Sequence, residues 1–591
     1  MCCRSVCLLM LALLVSGTVP AQALLQPEIA TGFTPKVDVV TQHFAVATAN
    51  PLATRAGRDM LKAGGSAVDA AIAAQMVLGL VEPQSSGLGG GALMLHTVIA
   101  ASGAPRLQAF DGRETAPAAA SEDMLLNAQG QPLAFHEAVV GGRAVGTPGV
   151  LHMLARAHAQ HGKLPWAQLF QPAITLATQG FPIGPRLHAQ LKADPYLRLD
   201  PVARDYFYQA NGEPFPIGFV RRNPELATLL SNIATQGLQA FYSGGTAQAM
   251  VQKVQQHPTN PGRLALGDLA DYQSKEREAL CFDHATLRRV YRVCGFPPPS
   301  SGAIAMGQIL GMLPTTDDPA LSAAWLHAYI EASRLAFADR AQFVADPDFV
   351  AAPGDDWHTL LNPAYLRERA QLIGPTSMNK AEPGDPVRSR TSNWAPMADQ
   401  PEYGTSHLSI VDGWGNALAM TTTIEDGFGA RQMVNGFLLN NQLTDFSFSP
   451  RDAQGRLIAN RVQPGKRPRS SMSPTLVFEK STGQLVMSVG SPGGHMIIHF
   501  TTKTLLGVLN WGLTPQQAID LPNFGFVAGP VVLETQRFSA ALQDALRSRG
   551  ATVREAALPS GVHAIVRRRG DGRDVWMSGA DPRREGSVMG E

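Results

Sequence analysis

Hydrophobic and polar positions divide the chain into helical and extended stretches that alternate along most of its length. Leu52 to Leu80 is rich in alanine, and Ala67, Ala70, Ala71 and Ala74 recur at the spacing of one helix face, which predicts buried helices. Pro148 to Gln160, Ala323 to Asp339 and Thr502 to Trp511 predict further helices. Strand-like runs occur around Ala92 to Val98, Cys281 to Val293, Leu408 to Thr423, Thr475 to Phe478 and Leu485 to Val489. Strands interleaved with buried helices, without repeats or low-complexity tracts, point to an α+β layered sandwich.

One stretch interrupts this pattern. From Gly374 to Gly404 the chain is rich in Pro, Ser, Asn and charge and has no apolar period, so it reads as a loop. At Thr405 alternation resumes at once, with Leu408 and Ile410 on one face and His407, Ser409 and Val411 on the other. A Gly413-Trp414-Gly415-Asn416 turn and a second apolar run, Ala417 to Thr423, complete a predicted hairpin whose first strand opens on a hydroxyl residue. Were the bond before Thr405 cut, that residue would carry a nucleophile and a base together, because a free α-amine titrates at about 7.7–8.0. Taken alone, the feature is better read as an ordinary strand-start threonine behind a surface loop.

The motifs around it change that reading. Gly404-Thr405-Ser406-His407 with Val411-Asp412, Thr421-Thr422-Thr423, Asn440-Asn441-Gln442 with Asp445-Phe446-Ser447, Lys466 to Thr475 and Gly490-Ser491-Pro492-Gly493-Gly494 follow one another downstream. Upstream stand Pro83 to Gly91, Asp111 to Pro117 and Pro297 to Gly302. In this order the segments resemble the γ-glutamyltransferase family of N-terminal-nucleophile hydrolases. The resemblance implies a four-layer αββα sandwich that cleaves itself between Gly404 and Thr405 into a large subunit, 24–404, and a small catalytic subunit, 405–591, which remain together as a heterodimer. It implies Thr405 as the nucleophile, its own amine as the base, Thr423 as a hydrogen-bond partner of the nucleophile, and Gly493 and Gly494 as the oxyanion hole. Arg113 with Ser470 and Ser471 would hold the donor carboxylate, and Asp445 with Gln442 the donor ammonium. Two departures stand out. Glu425 occupies a position where many members have asparagine, either adding an acceptor for the ammonium or being neutralised by Arg431. Ser447 to Gln463, which forms a lid with a tyrosine in some members, contains no Tyr or Trp.

Composition narrows the setting. The 591 residues are 45% hydrophobic and 16% charged with a net charge of +1, which gives no basis for a nucleic-acid or membrane-surface partner. Arg4, the apolar run Val6 to Val15 and Ala21-Gln22-Ala23 read as a secretory signal over 1–23, so the expected location is secreted or periplasmic, without a membrane anchor. Removing it would leave two of five cysteines, Cys281 and Cys294, for which a disulfide and two buried thiols are both open. The Gly87-x-Gly89-x-x-Ala92 run formally matches a dinucleotide fingerprint, but a helix precedes it and a strand follows, so packing is the better reading. No His-Glu-x-x-His or Walker motif occurs, and neither metal nor cofactor is expected.

The expected activity is hydrolysis and transfer of γ-glutamyl groups from glutathione and related amides through a γ-glutamyl-threonine acyl-enzyme. A glutaryl or cephalosporin amide acylase using the same nucleophile is the alternative. The combined presence of Thr405, Thr423, Gly493 and Gly494 argues against a non-catalytic secreted binding protein.

Overall fold

A computed structural model describes residues 28–99, 105–314, 321–388, 393–526, 529–570 and 573–591. The expected signal, 1–23, lies outside the described residues, as does part of the loop before Thr405. Strands forming two large sheets are Val39–Thr41 (β1), Ala45–Thr48 (β2), Gly91–Ile99 (β3), Pro105–Gly112 (β4), Lys275–Arg277 (β5), Leu280–Ala285 (β6) and Val290–Gly295 (β7). They continue with Ser406–Val411 (β8), Ala417–Thr423 (β9), Thr475–Glu479 (β10), Leu485–Gly490 (β11), His563–Gly570 (β12), Arg573–Ala580 (β13) and Ser587–Gly590 (β14). One seven-stranded sheet runs β14-β2-β8-β9-β3-β4-β5 and the other β1-β13-β12-β11-β10-β7-β6. Every neighbouring pair in both is antiparallel.

Side-chain alternation turns these sheets into four layers. Leu408, Ile410, Leu418 and Met420 face outward onto a helical layer containing Pro51–Lys62 (α1) and Ala67–Val81 (α2). Ala45, Leu93, Val411, Ala417 and Ala419 face inward and meet Leu476, Phe478, Leu485 and Ile565 of the second sheet. That sheet's outer residues, among them Val477, Met487, Val489 and Val566, are covered by Gly302–Met312 (α3), Ala323–Phe343 (α4) and Met496–Leu509 (α5). The architecture is therefore the αββα sandwich.

Local chemistry sets the elements that reach the site. α1 starts at Asn50, whose side chain accepts the Leu52 N–H, and α2 at a capping box of Ser66 and Asp69. The chain then returns to β3 through the glycine run. A Cβ at Gly89 would stand 2.1 Å from the Leu438 carbonyl oxygen, and one at Gly90 2.0 Å from that of Thr423. These glycines permit backbone to pass directly beneath the end of β9, which is the packing role expected of them.

β8 is buried throughout and held between β2 and β9, with Ser406 opposite Thr422. Its turn is the predicted one: Gly415 has φ +82°, and Asp412 Oδ1 accepts from the Trp414 and Asn416 N–H groups at 3.0 Å each. Cys281 and Cys294 are directly opposed in the β6–β7 hairpin and form a disulfide, with Cα atoms 4.0 Å apart. Among the described residues no helix is long and apolar enough to cross a membrane.

Candidate active site

The end of β9, the start of β8 and the loop before α5 converge on a cavity of about 20 Å³. Every sequence-predicted site residue except Gly493 borders it: Arg113, Gly404, Thr405, Thr423, Glu425, Gln442, Asp445, Ser470, Ser471 and Gly494. Gly493 is one residue removed, with φ +132° and the Phe500 ring against it. Residues that sequence reasoning did not single out, Glu402 and Tyr403, close the cavity from the loop side.

The chain is continuous through Gly404 and Thr405, and Thr405 is buried. Its hydroxyl donates to the Gly404 carbonyl oxygen. The Thr423 hydroxyl donates to the same oxygen at 2.8 Å and accepts the Glu425 N–H at 2.8 Å. In the continuous chain Thr423 therefore contacts the Gly404 carbonyl oxygen. The Thr423 hydroxyl is suited to a negative charge developing on that oxygen.

Arg113 and Asp445, expected to bind opposite ends of a ligand, bind each other. One guanidinium nitrogen, Nη2, donates to the Asp445 carboxylate and to the Arg469 carbonyl oxygen at 2.9 Å, while Nε donates to the Pro468 carbonyl oxygen at 3.2 Å. Gln442 Nε2 also donates to Asp445, at 2.7 Å. Asp445 Oδ1 and Gln442 Oε1 are buried acceptors without a hydrogen-bond partner in the structure. Burial pushes the Asp445 carboxyl up, and Arg113 opposes that push.

Glu425 is not neutralised by Arg431. That guanidinium instead pairs with Asp426 and with Asp194, 2.8 Å away. Glu425 is buried near Asp445 and Asp426, and burial first, then those charges, raise its carboxyl well above the usual range. Its carboxyl is held by Asn441 Nδ2, by the Thr444 hydroxyl at 3.3 Å and by the Tyr403 N–H at 3.3 Å.

The serine pair divides its work. Ser470 Oγ accepts the Met472 N–H at 3.1 Å, and the loop is braced by Ser301 Oγ donating to the Ser470 carbonyl at 2.9 Å. Ser471 Oγ binds the Glu402 carboxylate. Arg340, at the end of α4, donates from Nη2 to Ser471 Oγ at 2.6 Å and to Glu402 Oε1 at 2.8 Å, and His495 Nε2 lies 2.6 Å from the same Glu402 oxygen. Burial alone would raise the Glu402 carboxyl, but His495, Arg340 and Arg469 overcome it and hold the group well below the usual range. The family model for gamma-glutamyltranspeptidase matches residues 53–591 of this chain.

The chain belongs to the gamma-glutamyltranspeptidase family. It is 37% identical over 533 residues to a glutathione hydrolase proenzyme of Bacillus subtilis (strain 168), covering 88% of this chain and 87% of that one. A glutathione hydrolase proenzyme of Escherichia coli (strain K12) is 35% identical over 529 residues, covering 87% of each. Among solved structures, a cephalosporin acylase from Bacillus halodurans superposes with a TM-score of 0.80 at 27% identity, covering 96% of this chain and 99% of that one.

Within this gamma-glutamyltranspeptidase fold, Ser447 to Gln463 is fastened to the segment before Gly404 and to the Asp445 backbone. The Ala395 N–H donates to the Leu457 carbonyl at 2.8 Å, and Asn460 Nδ2 donates to the Asp445 carbonyl at 2.7 Å. The aromatic ring beside the site is Tyr403, packed on Phe135 with centroids 5.2 Å apart. Arg340 and His495 also escaped sequence reasoning: the first lies in a predicted helix and the second directly after the Gly493-Gly494 pair, with no spacing signal of their own. Among the described residues no group of three or more His, Cys, Asp or Glu is placed to hold a metal ion.

Proposed function

We propose that the protein is a self-cleaving γ-glutamyl hydrolase and transferase acting on glutathione and related γ-glutamyl amides. The observation that carries this reading is the convergence of the Thr405 and Thr423 hydroxyls on the Gly404 carbonyl, within a cavity that also contains Asp445 and Gln442. In the first reaction Thr405 Oγ attacks the Gly404 carbonyl carbon, the C–N bond breaks and its nitrogen takes the proton. Water then hydrolyses the ester, leaving Gly404 with a carboxylate and Thr405 with a free amine. The subunits 24–404 and 405–591 result.

In the second reaction the amine takes the proton from Oγ as the hydroxyl attacks the donor's γ-amide carbon, then returns a proton to the leaving amine. Water or an amino-acid acceptor releases the acyl group. Backbone N–H groups of Gly493 and Gly494 stabilise the oxyanion, and Thr423 hydrogen-bonds the nucleophile. Asp445 and Gln442 accept from the donor ammonium, and Arg113, with Ser470 and Ser471, holds the donor carboxylate. An expected signal over 1–23 would carry the chain to an oxidising compartment, which accords with the Cys281–Cys294 disulfide.

The acylase superposition supports a second reading with glutaryl or cephalosporin-type donors. The unpartnered Asp445 and Gln442 acceptors favour the γ-glutamyl reading, because an ammonium satisfies them and a glutaryl group does not. Purified protein should yield two fragments, the smaller beginning at Thr405, whereas Thr405→Ala should remain one chain. It should also turn over γ-glutamyl anilide faster than glutaryl anilide, by roughly 10⁴-fold if the site rejects a donor lacking the ammonium as strictly as polar sites can. Equal or faster glutaryl turnover would promote the acylase reading.

A further inference from the structure

Behind Thr405, on the side of β8 that faces the helical layer, lies a buried group of charges that the reaction at Thr405 leaves unused. Ser406 shares that face with Leu408 and Ile410, and its hydroxyl donates at 3.4 Å to Oε2 of Glu82, the residue that ends α2. The cations of the group are Arg186, in the helix Pro185–Ala193, and Arg584, just before β14. Both are buried, Arg186 completely. Arg186 pairs with Glu28, and its Nε stands 3.7 Å from Glu82 Oε1. Arg584 Nη1 lies 3.2 Å from Glu28 Oε2, while its Nε and Nη2 donate to the Pro559 carbonyl at 3.1 and 3.0 Å. Glu585 joins from the rim, its Oε1 accepting the Arg186 backbone N–H at 2.9 Å.

Among the described residues, Glu28 is the one acid within salt-bridge distance of both guanidiniums. It also reaches the scissile bond: a Cβ on Gly404 would stand 3.5 Å from Glu28 Oε1. Acids of this cluster therefore touch both neighbours of Thr405, Gly404 through Glu28 and Ser406 through Glu82. Burial pushes the Glu82 carboxyl up to about 8, so at neutral pH the counter-charge rests on Glu28 and, at the rim, on Glu585. Glu28 arrives with an N-terminal arm fastened along the segment that carries Arg584. The Thr34 N–H donates to the Pro582 carbonyl at 2.8 Å, and Lys36 Nζ donates to the Asp581 and Arg584 carbonyls at 2.6 and 2.9 Å. Gly404 has no side chain by which to be held; Thr423 fixes its carbonyl oxygen, and the Glu28 carboxyl bounds its Cα. Removing one partner of a buried ion pair leaves an uncompensated charge. Here two guanidiniums would be stranded, with Glu82 the acid available to turn toward them and away from Ser406. Attack on a neighbouring carbonyl needs the reacting atoms held about 3–3.5 Å apart, and an error of roughly 1 Å costs about 10²-fold.

We propose that Glu28 is a positioning residue for self-cleavage: seated between Arg186 and Arg584, it fixes Gly404 directly and Ser406 through Glu82, so that the N-terminal arm completes the processing site. The proposal rests on the self-cleaving reading and makes the cut conditional on a segment from the opposite end of the large subunit. Until the arm docks, the two arginines lack their shared partner and the scissile bond lacks one of its walls.

The test separates charge from shape. Glu28→Gln keeps the size of the side chain and loses the charge, whereas Glu28→Asp keeps the charge and loses one methylene. Full-length chains are made by cell-free translation, and the fragment beginning at Thr405 is followed in time on a denaturing gel. The same changes placed in Thr405→Ala, which stays uncut, report folding by thermal melting. Glu28→Gln should slow cleavage by roughly 10- to 100-fold, the effect of losing a hydrogen-bonded charge, and Glu28→Asp should slow it less. The reverse order would assign Glu28 a packing role and overturn the proposal, as would wild-type cleavage in Glu28→Gln. If Glu28→Gln does not melt cooperatively, Glu28→Asp provides the readout and should still cleave about threefold or more slower than wild type, because its carboxylate is drawn back from Gly404. A wild-type rate in that variant overturns the proposal. A wild type that never yields the fragment overturns the self-cleaving reading itself, whereas a cleaving wild type leaves that reading standing whatever the Glu28 variants do.

Discussion

Glu425 adopts φ +76°, a conformation that favours glycine and asparagine over glutamate, and its carboxyl is buried at the same time. Both features are consistent with the side chain being useful as a hydrogen-bonding amide-like group rather than as a charge. In the folded chain it retains a proton that the unfolded chain loses above about pH 4.3. Wild-type stability from this group therefore falls as pH rises from there toward the elevated folded value. Glu425→Gln removes that loss. Its melting temperature should match wild type near pH 4 and exceed it increasingly as pH rises from there, with a slope of up to about 1.4 kcal/mol per pH unit. A constant offset across pH would show that Glu425 is ionised when folded.

Thr423 provides a second residue-scale expectation. Thr423→Val keeps the strand but removes the hydrogen bond to the Gly404 carbonyl, so autocleavage should slow by about 10²–10³-fold in a time course of fragment appearance. The motifs in the sequence identified the residues around the cavity, but not their pairing. Arg113 and Asp445 are 332 positions apart, and their mutual contact depends on how β4 meets the loop after β9. Glu402 was hidden for a related reason: its partners are a helix end, a serine loop and a residue before α5, which only tertiary structure assembles.

Among the elements, the β8–β9 hairpin was the most legible because alternation, the Gly415 turn and the Asp412 side chain agree. Leu52 to Leu80 proved to be two helices separated near Gly64 and Gly65, and Cys281 to Val293 a hairpin. α5 starts at Met496, earlier than the Thr502 expected, because His495 provides no side-chain cap to mark its beginning. β12 was missed: Arg567, Arg568 and Arg569 obscure its apolar first half. The β6–β7 disulfide can be tested at this scale. Replacing both Cys281 and Cys294 with alanine should cost stability, up to about 3 kcal/mol and less if the hairpin persists in the unfolded chain, seen as a lower denaturation midpoint. Processing and KM should stay unchanged, because the bridge lies at the edge of its sheet.

The order of strands in the whole molecule was not legible, since antiparallel neighbours come from distant parts of the chain. β8 lies between β2 and β9, while β10 separates β7 from β11. Cutting before Thr405 would consequently leave both sheets assembled from strands of both fragments. After cleavage the fragments should migrate as one species in size-exclusion chromatography, even on strong dilution, and separate only in denaturant. Each produced alone should lack a cooperative unfolding transition. Independent folding of either fragment would contradict this dependence.

The tightness of the site around Glu402 also determines what a covalent reagent can count. Gly494 leaves no room there: a Cβ on it would stand 2.1 Å from the Glu402 carbonyl oxygen. Breaking the peptide bond does not by itself evacuate that space, so a freshly cut molecule and one whose tail has withdrawn are chemically different populations. An electrophilic donor analogue should label only the latter. The moles of label per mole of protein, followed beside the gel, then measure withdrawal as an event separate from scission. A lag between the two curves would be the interval in which a molecule is already severed but still silent.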